Sequence, residues 1–294
     1  MDRFVQAIIS GLLMGGVYST IAVGLSLAFG VMRIINWAHG ELLMASMYIS
    51  YIIISMTDLN PYLVMLGTTV ILFAFGYLFQ DKILNKLLSR EETREPISVL
   101  LFTAGFGMVL SNLALIIFGG NPILVKTAYQ GKTFAVGNII VSVPRLISFI
   151  IAITATAALY LFLQKTEIGR AIRATSQNRN VAKLMGINQK ITYSLAFGIG
   201  IGLVGLSGAL LVPYFPIYPL VGQTFSNRSF IIVVLGGKGS VIGALVGGFI
   251  VGIIEQLAGQ LLTDAYAQAI VFILFVIVLL FKPTGLFGRE TESA

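Results

Sequence analysis

The strongest limit on the fold is the recurrence of apolar runs about as long as a bilayer is thick. A helix needs about 20 apolar residues to cross the hydrocarbon core. Runs of that order occur at 4–31, 38–56, 61–80, 97–118, 145–164 and 191–213, then in a longer region at 228–258 and a last run at 266–281. They do not alternate polar and apolar residues, and only helices or closed barrels satisfy the backbone in lipid, so the runs are helices. Composition agrees. Only 11% of the 294 residues are charged and 57% are hydrophobic, against about 25% charged in a soluble domain. The expected fold is an all-α polytopic membrane protein, one transmembrane domain over 1–294 with about eight or nine transmembrane segments.

The region 228–258 is long for one span, and Gly236-Gly237-Lys238-Gly239-Ser240 interrupts it. Glycine permits a turn and lysine is costly at the bilayer centre. The region therefore reads as a broken or re-entrant pair, 228–236 and 241–257; a single kinked span is the alternative. The start, Met1-Asp2-Arg3 before Phe4, lacks a basic stretch followed by a small-residue cleavage site. The first run is expected to be a retained span rather than a removed signal.

The formal charge is +7. Nucleic-acid binding would need the basic residues gathered on an aqueous domain, so no nucleic-acid partner is expected. They fall instead in loops, which in a membrane protein marks the cytoplasmic side. Segment 81–96 carries Lys82, Lys86, Arg90 and Arg94 among Asp81, Glu91, Glu92 and Glu95, and segment 165–190 carries Lys165, Arg170, Arg173, Arg179, Lys183 and Lys190 against Glu167. Both follow odd-numbered spans, which puts the N-terminus outside. The connection 119–144 then lies outside, with strand-like pieces near 133–143. Lys282, Arg289 and Lys282-Pro283-Thr284-Gly285 suggest a cytoplasmic C-terminus, which agrees with the two-segment reading of 228–258.

Segment 165–190 is the most informative. Ala171, Ala174, Ala182 and Met185 recur at helical spacing with basic residues between them, Asn178 and Asn180 suit a helix start, and Gly186 suits an end. Two short helices with a turn would make a compact cytoplasmic knob. An ordinary basic loop would also fix orientation, but it has no need of small residues at those intervals. A docking knob uses them to let a partner's groove approach, while Arg170, Arg173 and Arg179 pair with carboxylates. The candidate docking residues are Gly169, Arg170, Ala171, Arg173, Ala174, Ala182 and Gly186.

Three phrases carry a family resemblance. They are Ile35-Asn36-Trp37-Ala38-His39-Gly40-Glu41-Leu42; Gly169 to Ala174 with Ala182-Lys183-Leu184-Met185-Gly186-Ile187-Asn188; and Val234 to Ser240 with Gly243, Gly247 and Gly248. Over essentially its whole length the chain resembles the permeases of branched-chain amino-acid ABC importers, a LivH-like group within a wider family that serves ribose, galactose and other sugars. The resemblance implies two permeases, identical or different, forming the path in a bacterial or archaeal plasma membrane. It also implies two cytoplasmic ATP-binding subunits on the coupling segments and an extracytoplasmic binding protein that delivers solute. No cofactor is implied. The chain lacks a phosphate-cradling Gly-x-x-x-x-Gly-Lys-Ser/Thr loop; the nearest approach, Gly237-Lys238-Gly239, has Ile232 where the first glycine belongs.

Asn36, His39 and Glu41, with Gly236 and Gly237 at the late break, are the candidates for lining or gating the path. The plainer reading leaves His39 and Glu41 at headgroup level beside Met32-Arg33. Glu255 reads as a helix-end residue reaching water beside Gln256 and Gln260, and Ser111 and Asn112 as helix–helix hydrogen-bond partners. Glycines 11, 15 and 16, and 198, 200, 202, 205 and 208, suit tight helix packing. Pro213, Pro216 and Pro219 around Tyr214 and Tyr218 make a stiff outer connection, either a binding-protein contact or an aromatic belt.

The alternatives are a same-family permease for a sugar, nucleoside, urea or amide, an ion-coupled secondary transporter, and a membrane hydrolase. The second wants acids at mid-membrane, where candidates are few. The third wants a nucleophile and base; cysteine is absent and His39 is the sole histidine.

Overall fold

The architecture comes from a computed structural model, which describes residues 2–89 and 97–288. The chain opens with α1 (Asp2–Met32), α2 (His39–Thr57) and α3 (Pro61–Phe79). A π-helical turn at Gln80–Leu84 links α3 to the short α4 (Asn85–Leu88), and α5 (Ile97–Phe118) follows. A hairpin, β1 (Thr133–Val136) and β2 (Ile139–Ser142), precedes α6 (Val143–Lys165), α7 (Glu167–Gln177), α8 (Arg179–Leu184) and α9 (Gln189–Leu211). The last helices are α10 (Val221–Gly236), α11 (Val241–Leu261) and α12 (Asp264–Phe281). Among the described residues, seven helices are long and apolar enough to span, and α12 adds a shorter apolar stretch, Tyr266–Phe281. The 16-residue α10 packs among them. The broken-pair reading of 228–258 is the one observed, though α10 begins seven residues before 228.

Helix α1 occupies the centre, with Val17, Ile21, Ala22 and Val23 fully buried. Lipid tails are as apolar as leucine, so close backbone approach must hold such a core together. Along α1 and α11 the approach is made by glycines: a Cβ on Gly11 would lie 2.6 Å from Ile253 Cα, and one on Gly252 2.6 Å from Gly15 Cα. Gly24 meets Gly200 of α9 in the same way. Buried hydroxyls use carbonyls across these seams, Ser19 reaching Leu245 O at 2.8 Å and Thr20 reaching Ala152 O at 3.1 Å.

The bundle has two chemically distinct ends. At one, Gly30 packs on Gly239, Arg179 donates to Met32 O, and Asn85 Nδ2 lies 3.4 Å from Lys190 O. This end gathers Arg33, Lys82, Lys86, Lys165, Lys190, Lys238, Lys282 and the cations of α7 and α8. Arg90, Arg94, Glu91, Glu92, Glu95 and Arg289 lie outside the described residues. At the opposite end the β1–β2 hairpin pairs Thr133 with Ser142 through Val136 with Ile139. Gln6 docks on it as a strand would, donating to Ile140 O and accepting from Ile140 N, each at 2.8 Å. The 212–220 connection joins this end through Ile123 and Ile217, bonded both ways at 2.8 and 2.9 Å.

The α10–α11 turn sits at the basic end. Gly237 adopts φ +104, a conformation that glycine enters without a steric penalty. The chain after α12 clasps the turn: Leu286 N donates to Leu235 O at 2.8 Å and Phe287 N to Gly236 O at 3.0 Å.

Candidate functional site

Three places deserve a functional reading, and the first is the α7–α8 knob. Thr166 caps α7 by accepting from Gly169 N at 3.0 Å, and Asn178 caps α8 by accepting from the Asn180 and Val181 amides. Gly186, at φ +82, carries the chain away toward α9, and Asn188 caps that helix. The knob folds back against the bundle. Gly169 is buried against the end of α6, where a Cβ would meet Phe162 O at 2.4 Å and Leu163 Cα at 2.5 Å. Ile172, Thr175 and Ala182 are also buried. The smallness of Gly169 and Ala182 therefore serves this chain's own packing, where spacing alone suggested a partner's approach. Ala171 and Ala174 are half-buried, Arg170 and Gly186 exposed, and Arg173 donates to Gln164 Oε1 at 2.6 Å.

Arg179 is the joint between knob and bundle. It donates to Met32 O at the end of α1, and its guanidinium stands 5.9 Å from the Tyr193 ring centre. Burial lowers its pKa from the usual guanidinium value, Tyr193 opposing this and Arg33 adding to it; it stays cationic all the same. The outward surface is apolar in patches: Leu184 is 86% and Met185 77% exposed, with Ile168 and Val181 exposed beside them.

The second place is the turn between α1 and α2. His39 is not at headgroup level. It is buried, and its Nε2 lies 3.0 Å from Ile21 O, about 16 Å along α1 from Met32 at 1.5 Å per residue. Residues 33–38 fold back into the bundle, turned by Arg33 at φ +53. Asn36 Oδ1 accepts from Ala38 N at 3.1 Å, Trp37 N donates to Thr103 Oγ1, and Gly40 N donates to Ser226 Oγ at 2.9 Å. Trp37 packs on Phe230 with centroids 5.4 Å apart. This set pins the start of α2 to α1, α5 and α10. Asn36 Nδ2 and Glu41 Oε2 are buried without a hydrogen-bond partner, and Asn36, His39 and Glu41 line neither cavity described below. Gly236 and Gly237 belong to the clasped turn.

The third place escaped sequence reasoning. Arg228 of α10 grips Glu255 of α11 through Nε at 3.0 Å and Nη2 at 2.5 Å, both side chains largely buried. Glu255 is thus half of an ion pair inside the bundle rather than a helix end reaching water. Arg228 was hidden because the apolar run was counted from it; the polar residues before it, Gln223, Thr224 and Asn227, form the first turns of α10. The guanidinium also stands 5.4 Å from the Tyr18 ring centre and 5.6 Å from that of Phe225. Around the pair lies a cavity of about 580 Å³ whose lining includes Ser10, Arg145, Tyr214, Tyr218 and Gln256, and a second of about 240 Å³ reaching Gln223, Asn227 and Phe272. Ser111 and Asn112, by contrast, bond to Met108 O within α5, not across helices.

A bundle of membrane-length helices with a folded knob at its basic end and a charged cavity toward the other end fits a membrane transport subunit. The chain belongs to the family described as branched-chain amino acid transport system / permease component, whose model matches residues 7–279. It is similar to the high-affinity branched-chain amino acid transport system permease protein BraD of Pseudomonas aeruginosa, 28% identical over 99% of this chain and 98% of that one. It is also similar to LivH of Escherichia coli K12, 30% identical over 99% and 97%, and to a probable branched-chain amino acid transport permease protein LivH of Methanocaldococcus jannaschii, 26% identical over 93% and 89%. No solved structure matches the chain. The protein is accordingly a multi-pass inner-membrane permease subunit of an ABC importer.

Proposed function

We propose that this subunit imports branched-chain or related amino acids as one of a pair of permeases, with separate ATP-binding subunits gripping α7–α8 and an extracytoplasmic binding protein delivering solute at the opposite end. The positive-inside bias makes the basic end cytoplasmic, which puts the hairpin and the 212–220 connection outside. One observation carries the docking assignment: Leu184 and Met185 stand open to water at the basic end, among cations. Large exposed apolar side chains rimmed by charge mark a protein contact, and the surrounding arginines suit carboxylates on the partner. Thr166, Gly169 and Arg179 fasten the knob to α6 and α1, so a push on it reaches the central helix. The two-state equilibrium of the path is then biased by whichever partner holds the knob.

The test is the double substitution L184D/M185D. Both side chains are exposed, so insertion and folding are unchanged, while the ATP-binding subunits no longer co-purify and uptake is lost. L124D, at an exposed position in the opposite connection, leaves the ATP-binding subunits bound. Retention of those subunits by L184D/M185D refutes the docking assignment.

A further inference from the structure

We propose that the Arg228–Glu255 cavity is the solute site of the translocation path, and that it holds a zwitterionic amino acid with the carboxylate on Arg228 and the ammonium toward Glu255. The proposal deepens the importer reading and rests on it for the identity of the solute.

The first observation is the geometry of the ion pair. Arg228 spends Nε and Nη2 on Glu255 and leaves Nη1 buried with no hydrogen-bond partner. A guanidinium has a second donating edge suited to another carboxylate. Arg228 lines both cavities, so a carboxylate bound there can satisfy Nη1. Glu255 in turn offers its carboxylate to a solute cation, and the Tyr18 and Phe225 rings stand beside the guanidinium. Paired charges of opposite sign match a zwitterion, whose two poles cancel as theirs do; a sugar asks for neutral donors and acceptors instead.

The second observation is the shape. At about 580 Å³ the larger cavity falls in the range of about 300–1,000 Å³ usual for small-molecule sites. Its polar wall runs from Ser10 to Gln256, and Met14, Phe215 and Ala267 supply an apolar wall for an aliphatic side chain. Arg228, Glu255, Thr224 and Gln268 belong to both cavities, so the pair stands between the larger and the smaller one. A solute passing from one to the other passes the pair.

The third observation concerns the flank beside the pair. Gln223 and Asn227 on α10, and Gln268 on α12, are exposed on the bundle's flank. Polar side chains inside a span do not face lipid; they face a water-filled path or another subunit. These three mark the flank where the path runs, against the second permease.

The experiment uses the assembled importer in proteoliposomes with its binding protein outside, measuring leucine uptake and binding-protein-stimulated ATP hydrolysis together. Arg228→Gln is expected to lower leucine carried per ATP at least tenfold while hydrolysis stays within twofold, because the knob is untouched. The swap R228E/E255R restores an ion pair between α10 and α11 but puts a carboxylate where the solute's carboxylate must bind; uptake stays low with hydrolysis retained. If the pair only ties the two helices together, the swap recovers uptake, or uptake and hydrolysis fall in parallel in R228Q; either result overturns the site. Wild-type vesicles that carry no zwitterionic amino acid overturn the amino-acid reading itself, and the ligand assigned here with it. Wild-type uptake with an unchanged ratio in R228Q overturns the site alone.

Discussion

Replacing Gly40 with alanine puts the seating of α2 to a quantitative test. A Cβ at this position would stand 2.0 Å from Gly222 O, 2.4 Å from Ser226 Oγ and 2.7 Å from Ser226 N. Ordinary heavy-atom contact needs about 3.5 Å, so α2 and α10 must separate by more than an ångström. That movement stretches the Gly40 N to Ser226 Oγ bond from 2.9 Å beyond hydrogen-bonding range. Overpacking of this kind costs about 1–3 kcal/mol, and a lost buried bond about 1 kcal/mol. Their sum, ~2–4 kcal/mol, is the expected destabilisation. G105A is the control, since a Cβ there meets nothing within 4 Å and alanine is the better helix former by about 1 kcal/mol. The protein carries its own reporter. Trp37 is the sole tryptophan, three residues from Gly40 and packed on Phe230. Denaturing-detergent titration followed by Trp37 fluorescence should show G40A unfolding well before wild type and G105A close to it. Equal midpoints for G40A and G105A would refute the tight α2–α10 contact.

The remaining predictions use the same preparation or whole cells. H39A removes the donor to Ile21 O and should cost about 1–3 kcal/mol, with H39Q losing less; equal midpoints for H39A and wild type would remove the bracing role. In this cysteine-free chain, K183C should react with a membrane-impermeant thiol reagent only after the cells are opened, and K126C in intact cells; the reverse pattern inverts the orientation. I123C and I217C face each other across a hydrogen-bonded antiparallel pair, about 5.5 Å between Cα atoms and within disulfide range. They should oxidise spontaneously, and failure to do so under added oxidant would deny the contact between the two outer connections. G169V drives its side chain into the Phe162 carbonyl and should detach α7 from α6, so protease cleaves the knob; A174V, at a half-buried position, should leave it resistant.

Much of the architecture was legible because bilayer physics leaves few options. The span limits at 61–80 and 97–118 match α3 and α5 nearly residue for residue, and the glycine–lysine break, the knob's two helices and the hairpin near 133–143 were all readable. What was hidden follows a pattern. Gln223, Thr224 and Asn227 lower the hydropathy of α10, so its start was placed at 228 and the arginine there drew no reading of its own. Polar residues lining a cavity look like loop residues to any rule that assumes helices face lipid. Glu255 was assigned to water because its partner had not been placed on a helix. For His39 the headgroup level and a place on the path both stayed open, because Met32-Arg33 does mark the end of α1 and nothing local states that the next six residues turn back inward. Gly169 was read for a partner because spacing cannot say which neighbour a small residue admits. Depth and partner choice are tertiary facts.

The clasp over the α10–α11 turn imposes an order on assembly in the membrane. Leu235 and Gly236 give their carbonyls to Leu286 and Phe287, residues that are synthesised only after α12. Until the residues after α12 have been made, those two acceptors must be served by water. A chain interrupted within α12 would thus leave Arg228 and Glu255 on a hairpin whose turn lacks its clasp.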